Sequence, residues 1–267
     1  MRTMRRYLDR CRGSIIRQID RLGQRRWAEA VYHRLAWSPA MRRDARDLRH
    51  LRLLIASTVG PTDLCVDVGA NVGSVARVFL DVAPTVQHLL VEPVPELAAR
   101  LKVDFPACEV YAGALSDVQG TAQFAVNVDR PTRSSLDPDR ADAQSVTTMS
   151  IEVTTLDALL RGQSPRLVKI DVEGAELRVL RGSACTLTKA RPLVVFEHGP
   201  LPPGDHSPSF EIHGLFEEAG YRLFDIDGAG PLSAQQFVDA ASSGRIWNFV
   251  AVPPSGTDAA ELARTAL

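Results

Sequence analysis

The sequence predicts an α/β fold: a mostly parallel sheet of seven strands with helices on both faces, preceded by a helical extension. Along residues 63–196, short apolar runs typical of buried strands alternate with segments whose apolar residues recur at helical spacing. Two late runs, over residues 221–226 and 246–252, are predicted as the strands that close the sheet. We predict this domain to span residues 59–254 and a frayed tail to span residues 255–267.

The predicted extension, residues 1–58, is strongly basic. Residues 1–52 hold 15 arginines, no lysine and 5 acidic residues, whereas the whole chain carries a net charge of −1. Such an arm can contact an anionic membrane surface or an anionic partner, or it can be an amphipathic cap or homodimer helix with solvated arginines. We favour the last interpretation. Nucleic-acid binding is disfavoured as an interpretation of this arm.

The cysteines and the hydropathy pattern indicate a cytoplasmic protein. The four cysteines form no C-x-x-C pair and no metal-binding spacing, which is typical of a reducing compartment. No apolar run approaches the roughly 18 residues that a spanning helix needs. Arg5-Arg6 is not followed by the apolar segment of an export signal.

A glycine-rich turn is the strongest local signal. The apolar run of residues 64–68 ends at Gly69, and helical spacing resumes over residues 72–82. Such a turn points backbone N–H groups and the positive end of a helix at one ligand. The dinucleotide fingerprint fails, because Asn71 and Ser74 replace its second and third glycines, and no Walker motif follows. An ordinary strand-to-helix turn remains the alternative. The candidate cofactor-binding residues here are Asp67, Gly69, Ala70, Asn71 and Gly73.

The next two predicted strands add further candidates for a nucleoside site. A strand over residues 86–91 ends at Glu92, about 20 residues beyond the turn, where a carboxylate can accept hydrogen bonds from both ribose hydroxyls. A helix over residues 95–103 and a strand over residues 109–112 follow. Leu115 could pack on an adenine ring and Asp117 could accept from its amine, with Ser116 between them. Ordinary turn chemistry explains Ser116-Asp117 equally well.

Residues 121–127 and 149–153 alternate apolar with polar residues, which predicts an antiparallel pair of strands. The polar residues 129–145 between them are interpreted either as a disordered surface loop or as a lid over a substrate.

Acidic residues follow the two strands predicted over residues 167–170 and 192–196. Asp171 ends the first strand, Glu173 follows, and Glu176 is predicted in the first turn of a helix. Glu197 and His198 end the second strand. Because ligands of open α/β sheets bind at these strand ends, Asp171, Glu197 and His198 are the candidate catalytic residues. Three interpretations stay open: His198 as general base, a divalent ion held by all three, or an ion pair that closes the cleft.

Several separated blocks of the chain resemble the FkbM family of S-adenosylmethionine-dependent methyltransferases. The blocks are Val66-Asp67-Val68-Gly69-Ala70-Asn71-Val72-Gly73, Val91-Glu92-Pro93, Ala114-Leu115-Ser116-Asp117, Val153-Thr154-Thr155-Leu156-Asp157, Lys169-Ile170-Asp171-Val172-Glu173-Gly174-Ala175-Glu176, Phe196-Glu197-His198 and Trp247-Asn248-Phe249-Val250-Ala251-Val252. The resemblance implies the Rossmann-like class I methyltransferase fold, S-adenosylmethionine as cofactor, and methylation of hydroxyls on sugars, glycans or polyketides. Residues 1–52 fall outside it.

The resemblance therefore implies an O-methyltransferase whose partner is a small hydroxylated acceptor. Methylation of an exocyclic base amine is disfavoured, because no Asp/Asn-Pro-Pro-Tyr motif is present. One alternative is a catalytically inactive interaction protein that uses the basic arm. Another is an NAD-binding oxidoreductase, which Asn71 and Ser74 disfavour.

Overall fold

The computed structural model describes residues 39–127, 146–199 and 205–254. The part of the predicted extension before residue 39, the segment 129–145 and the tail from residue 255 lie outside these ranges. By their internal contacts, residues 1–49 and residues 50–267 form two compact units.

Seven strands form the main sheet, which confirms the predicted architecture. They are β1 (Cys65–Val68), β2 (Leu89–Val91), β3 (Glu109–Tyr111), β7 (Leu167–Ile170), β8 (Leu193–Glu197), β9 (Arg222–Asp225) and β10 (Asn248–Val252). Their order is β3-β2-β1-β7-β8-β10-β9. The first five pair in parallel, whereas β10 pairs antiparallel with both β8 and β9.

A second sheet of three strands was not part of the predicted fold class. Its strands are β4 (Ala114–Leu115), β5 (Gly120–Asn127) and β6 (Val146–Thr154), in the order β4-β6-β5. The predicted antiparallel pair is confirmed as β5 and β6, with register partners running from Gly120↔Val153 to Asn127↔Val146. The sequence did not show β4, because a strand of two residues is too short to display a period.

The first helix precedes β1, and the other helices lie between strands. The helices are α1 (Pro39–Thr58), α2 (Ser74–Val82), α3 (Pro95–Asp104), α4 (Leu156–Leu160), α5 (Glu176–Arg181), a π-helix (Thr186–Ala190), α6 (Ser207–Glu218) and α7 (Ala234–Ser242). Pro208 lies in the first turn of α6, where a proline is tolerated because its missing N–H is not needed there. In the described ranges, no helix combines the length and the apolar character needed to cross a bilayer.

Alternate residues of the central strands enter two different hydrophobic clusters. Val68, Ile170 and Phe196 belong to one cluster, whereas Cys65 and Val195 belong to the other. This alternation is the period of two that places successive side chains on opposite faces of a sheet. The second cluster also contains three residues of α1, namely Leu51, Leu54 and Ile55. The sheet is thus buried on both faces, which leaves its edge at the carboxyl ends of the strands for a site.

Candidate active site

The glycine turn is held against the carboxyl end of β7. Gly69 N and Ala70 N both donate to Val91 O, at 3.0 and 2.9 Å, and Asp171 N donates to Val68 O at 2.9 Å. Gly69 has φ +85°, and a Cβ atom there would lie 1.8 Å from Asp171 O. Glycine is required here because two strand ends touch backbone to backbone. This contact brings the turn and Asp171 together.

The rest of the turn also has special backbone geometry. Asn71 adopts a left-handed conformation with φ 50°, which asparagine tolerates better than most residues. Gly73 has φ +79°, and a Cβ atom there would lie 2.2 Å from the ring of Phe105. Gly73 therefore serves the close packing of α2 against the end of α3, a role that the sequence pattern did not distinguish from contact with a ligand.

Glu92 fixes the turn from the neighbouring strand. Its side chain is buried, and its two carboxylate oxygens accept hydrogen bonds from Asn71 N at 2.8 Å and Val94 N at 2.9 Å. Burial raises the pKa of Glu92, and the two N–H groups oppose that rise. Because each carboxylate oxygen has a second lone pair, Glu92 can still accept from a ligand.

Two buried acceptors near this turn have no hydrogen-bond donor in the part of the chain that the structure describes. They are Asp67 Oδ2 and Asn71 Oδ1. Asp67 is 2% exposed, and burial raises its pKa to about 7, with the charge of Lys169 lowering it and those of Asp171 and Glu92 raising it. Buried polar atoms are nearly always hydrogen-bonded in native proteins. Two unsatisfied buried acceptors, one in the turn and one just before it, therefore indicate that a donor group is missing.

The residues predicted beside an adenine ring are in three different environments. Leu115 is 1% exposed and belongs to the hydrophobic cluster on one face of the main sheet. Ser116 is buried; its N donates to Thr154 O at 2.8 Å and its Oγ donates to Asp117 Oδ1 at 3.0 Å. Asp117 is exposed. Of the three side chains, only that of Asp117 is open to solvent.

Asp171 and Glu197 lie on the face of the sheet that carries Asp67. Lys169 and Val195 are register partners, as are Asp67 and Lys169, so the positions 171 and 197 continue the same face. Asp171 keeps 38% of its side-chain surface exposed. Burial raises the pKa of Glu197 to about 9, with Asp171 as the next cause. Near neutral pH, Glu197 is therefore a neutral carboxylic acid beside an accessible Asp171.

His198 lies on the opposite face of the sheet. Its Nε2 is 2.8 Å from Ser209 Oγ, and its ring stacks on Phe237 with the centroids 5.5 Å apart. Glu176 Oε2 is 3.9 Å from His198 Nδ1. His198 is 2% exposed, so the structure brings Asp171 and Glu197 together and separates His198 from them. Adjacent residues of a strand point to opposite faces, a signal that the sequence already contained.

The loop after Asp171 is shaped by two further residues of the same block. Glu173 adopts φ 52° and Gly174 adopts φ +104°, which turns the chain into α5. Glu176 begins α5, as predicted, and its Oε1 accepts from Gly174 N at 2.8 Å. In another block, Asp157 accepts from Cys185 N, Thr186 N and Thr186 Oγ1, and so caps the π-helix.

The three residues expected to share a divalent ion do not form a cluster. Within the described ranges, no group of three or more His, Cys, Asp or Glu side chains could hold a metal ion. The physical reason is that Asp171 and Glu197 lie on one face of the sheet, whereas His198 lies on the other.

Lys169 is a further residue of the candidate site, and it was not among the candidates named from the sequence. It is 4% exposed, its Nζ donates to Ile170 O at 3.2 Å, and Nζ lies 3.5 Å from Asp171 Oδ2. A lysine inside the apolar run of a central strand is unusual, because lysine is seldom fully buried unless it is paired. That exception to the strand pattern could have identified it.

The strand order and the glycine turn define the Rossmann-like fold of class I methyltransferases. Residues 67–223 match the family profile described as the methyltransferase FkbM domain, and the chain belongs to this family of methyltransferases.

Individual proteins are similar over much of the chain. The 2-O-methyltransferase NoeI of Sinorhizobium fredii (strain NBRC 101917 / NGR234) is 27% identical over 178 residues, which are 58% of this chain and 71% of NoeI. The structure of methyltransferase FkbM from Methylobacillus flagellatus KT is 15% identical with a TM-score of 0.45; the match covers 72% of this chain but 44% of that one. The StiE O-MT structure, residues 961–1257, is 12% identical with a TM-score of 0.43, over 90% of this chain and 86% of that one.

Proposed function

We propose that this chain is an S-adenosylmethionine-dependent O-methyltransferase that methylates a hydroxyl of a sugar, a glycan or a polyketide-type small molecule. The observation that carries the proposal is the arrangement at the carboxyl ends of β1, β2 and β7. There, two unsatisfied buried acceptors, one at the end of β1 and one in the glycine turn, lie near an accessible carboxylate, Asp171.

The residues of the turn fit the cofactor. S-adenosylmethionine carries ribose hydroxyls and an ammonium group, which are hydrogen-bond donors. Asp67 Oδ2, Asn71 Oδ1 and the second lone pairs of Glu92 are acceptors without such partners in the described part of the chain. Asp117 is exposed and can accept from an adenine amine. When bound, the cofactor supplies a methyl carbon that is electrophilic because it is attached to a sulfonium.

Asp171 is the proposed general base. A base must reach the proton that it removes, and Asp171 is the accessible carboxylate of the three catalytic candidates. Glu197, which is protonated near neutral pH, would instead donate a hydrogen bond that orients the acceptor. His198 would support the site from behind, because its ring is buried between Ser209 and Phe237.

An oxygen acceptor is supported by the similar protein NoeI, whose name describes a 2-O-methyltransferase. A carboxylate base also suits a hydroxyl. The oxygen becomes acidic only as its bond to the methyl carbon forms, so a weak base that is correctly placed can take the proton late in the reaction.

A methyl-transfer assay tests the proposal. The full chain would be incubated with S-adenosylmethionine labelled in its methyl group and a panel of methyl glycosides and macrolide aglycones with free hydroxyls, and label would be counted in the acceptor fraction. We expect label in at least one acceptor. We also expect Asp171→Asn to lower transfer by about 100-fold or more, whereas Asp81→Asn, on the exposed side of α2, should leave it unchanged. Full activity of Asp171→Asn would remove its role as base, and a chain that binds the cofactor but labels no hydroxylated acceptor would contradict O-methylation.

A further inference from the structure

The chain contains three lysines among its 31 basic residues, namely Lys102, Lys169 and Lys189. Lys102 and Lys189 are exposed, whereas Lys169 is 4% exposed inside the central strand β7. Transfer of an ammonium group from water into a protein interior is unfavourable unless the charge is paired and hydrogen-bonded. A buried lysine in a chain that otherwise uses arginine therefore needs a specific reason.

The neighbours of Lys169 supply that reason. Across the sheet, Lys169 is the register partner of Asp67 in β1. Along its own strand, Nζ lies 3.5 Å from Asp171 Oδ2, and it donates to Ile170 O at 3.2 Å. Lys169 thus pairs with the carboxyl group that follows β7 and is the neighbour of Asp67 across the β1–β7 pairing.

We propose that Lys169 is a positioning residue whose single ammonium group pairs with the Asp171 carboxylate on the acceptor side and acts through its charge on the Asp67 carboxylate on the donor side. The terms donor side and acceptor side rest on the proposed function.

The charges around Lys169 show why the site needs a cation. The charge of Lys169 acts on Asp67 and on Glu197, and the charges of Glu92, Asp171, Glu173 and Glu176 act on one or both of these two carboxyl groups. Like charges at this density favour protonation of some members. Lys169 opposes this, because its charge lowers the pKa of Asp67 and that of Glu197.

The first experiment measures the carboxyl groups and needs no ligand. In protein labelled with carbon-13 at aspartate carboxyl carbons, the Asp67 signal would be assigned by its loss in Asp67→Asn and followed from pH 5 to 10. We expect Lys169→Met to raise the pKa of Asp67 by about one unit or more, since an adjacent opposite charge shifts a carboxyl by about 1–3 units. Lys169→Arg should keep the wild-type titration within about half a unit, because the charge is retained. Lys102→Met removes an exposed lysine and should have no effect.

The second experiment measures donor affinity by calorimetric titration with S-adenosylhomocysteine at pH 7 and pH 9. A one-unit rise in the pKa of Asp67 leaves fewer ionised acceptors at pH 7. We therefore expect Lys169→Met to bind roughly fivefold more weakly at pH 7 and within about twofold of wild type at pH 9. A purely packing role predicts a loss of the same size at both pH values.

An unchanged Asp67 titration in Lys169→Met would overturn the inference. If Lys169→Met does not fold, Lys169→Arg decides: a shifted Asp67 titration there would overturn the inference, and a preserved one supports it. Failure of the wild type to bind S-adenosylhomocysteine would contradict the proposed function instead, and the ligand-free titration would still decide the role of Lys169.

Discussion

At the scale of single residues, Gly69 is where the two halves of the site meet. Its φ of +85° disfavours any side chain, and a Cβ atom would also collide with Asp171 O. Gly162 has a similar φ of +88°, but nothing in the described part of the chain lies within 4 Å of a Cβ atom there. A comparison of the two positions therefore distinguishes the cost of backbone strain from the cost of a steric clash.

We expect Gly69→Ala to lower the free energy of unfolding by about 3 kcal/mol or more, because strain and overpacking each cost about 1–3 kcal/mol. Gly162→Ala should cost about 1–2 kcal/mol from strain alone. Urea unfolding of both variants measures the difference. Equal losses would show that β1 and β7 can move apart, and the close contact would then not organise the site.

The raised pKa of Glu197 predicts that the stability of the protein depends on pH. The pKa of Glu197 rises from 4.5 in the unfolded chain to about 9 in the folded protein, so the native state holds a proton that the unfolded state releases between these values. The free energy of unfolding therefore decreases as pH rises through this window, by at most about 1.4 kcal/mol per unit for one proton. Asp67 contributes in the same direction only up to about pH 7.

Thermal unfolding between pH 7 and pH 9 isolates this contribution. We expect the melting temperature of the wild type to fall across this range and that of Glu197→Gln to fall less, because the amide stays neutral. Glu218→Gln, which changes an exposed residue of α6, should retain the wild-type slope. If the melting temperature falls with pH equally in Glu197→Gln and wild type, Glu197 is not the group whose raised pKa causes the pH dependence.

At the scale of elements, the β5–β6 hairpin supports the site. Phe124 and Ile151 pack in one cluster with Val94, which follows Glu92, and with Ala175, which precedes α5. The hairpin thus links the segment that fixes the turn to the segment that carries Asp171.

We expect Phe124→Ala to destabilise the protein by about 3 kcal/mol, as is usual when a buried phenylalanine is truncated. It should also weaken binding of S-adenosylhomocysteine, because Val94 loses support next to the hydrogen bond from its N to Glu92. Gln123→Ala, on the exposed face of β5, is the matched control. If donor affinity is unchanged in folded Phe124→Ala, the hairpin only stabilises the domain.

Elements with a clear period were predictable from the sequence, and pairings across the sheet were not. The alternation in residues 121–127 showed β5, and the apolar runs showed the parallel strands. Lys169 was missed because its partner Asp67 is distant in sequence and becomes a neighbour only when β1 and β7 pair. His198 was grouped with Glu197 because the two are adjacent in the chain, although the period of a strand separates their side chains.

At the scale of the whole molecule, part of the predicted basic extension belongs to the hydrophobic core. The internal contacts divide the chain after Arg49, whereas the sequence placed the boundary after Thr58. Leu51, Leu54 and Ile55 lie in the cluster that covers one face of the sheet. These residues belong to the core of the second unit.

We expect a chain that starts at His50 to keep the melting temperature of the full-length protein within a few degrees and to bind S-adenosylhomocysteine normally. A chain that starts at Val59 should be several kcal/mol less stable, because three core side chains are removed at about 1.5–3 kcal/mol each. Differential scanning calorimetry compares the two. Equal stability of the two chains would show that residues 50–58 of α1 do not contribute to the stability of the domain.

The proposed function requires that the glycine turn binds an adenosyl sulfur compound. Calorimetric titration of the full chain with S-adenosylmethionine, S-adenosylhomocysteine and NAD tests it most directly, with Glu92→Ala as the site variant and Asp81→Asn as the surface control. We expect saturable binding of both adenosyl sulfur compounds, no binding of NAD, and a clear loss in Glu92→Ala. Binding of NAD alone, or of none of the three, would contradict it.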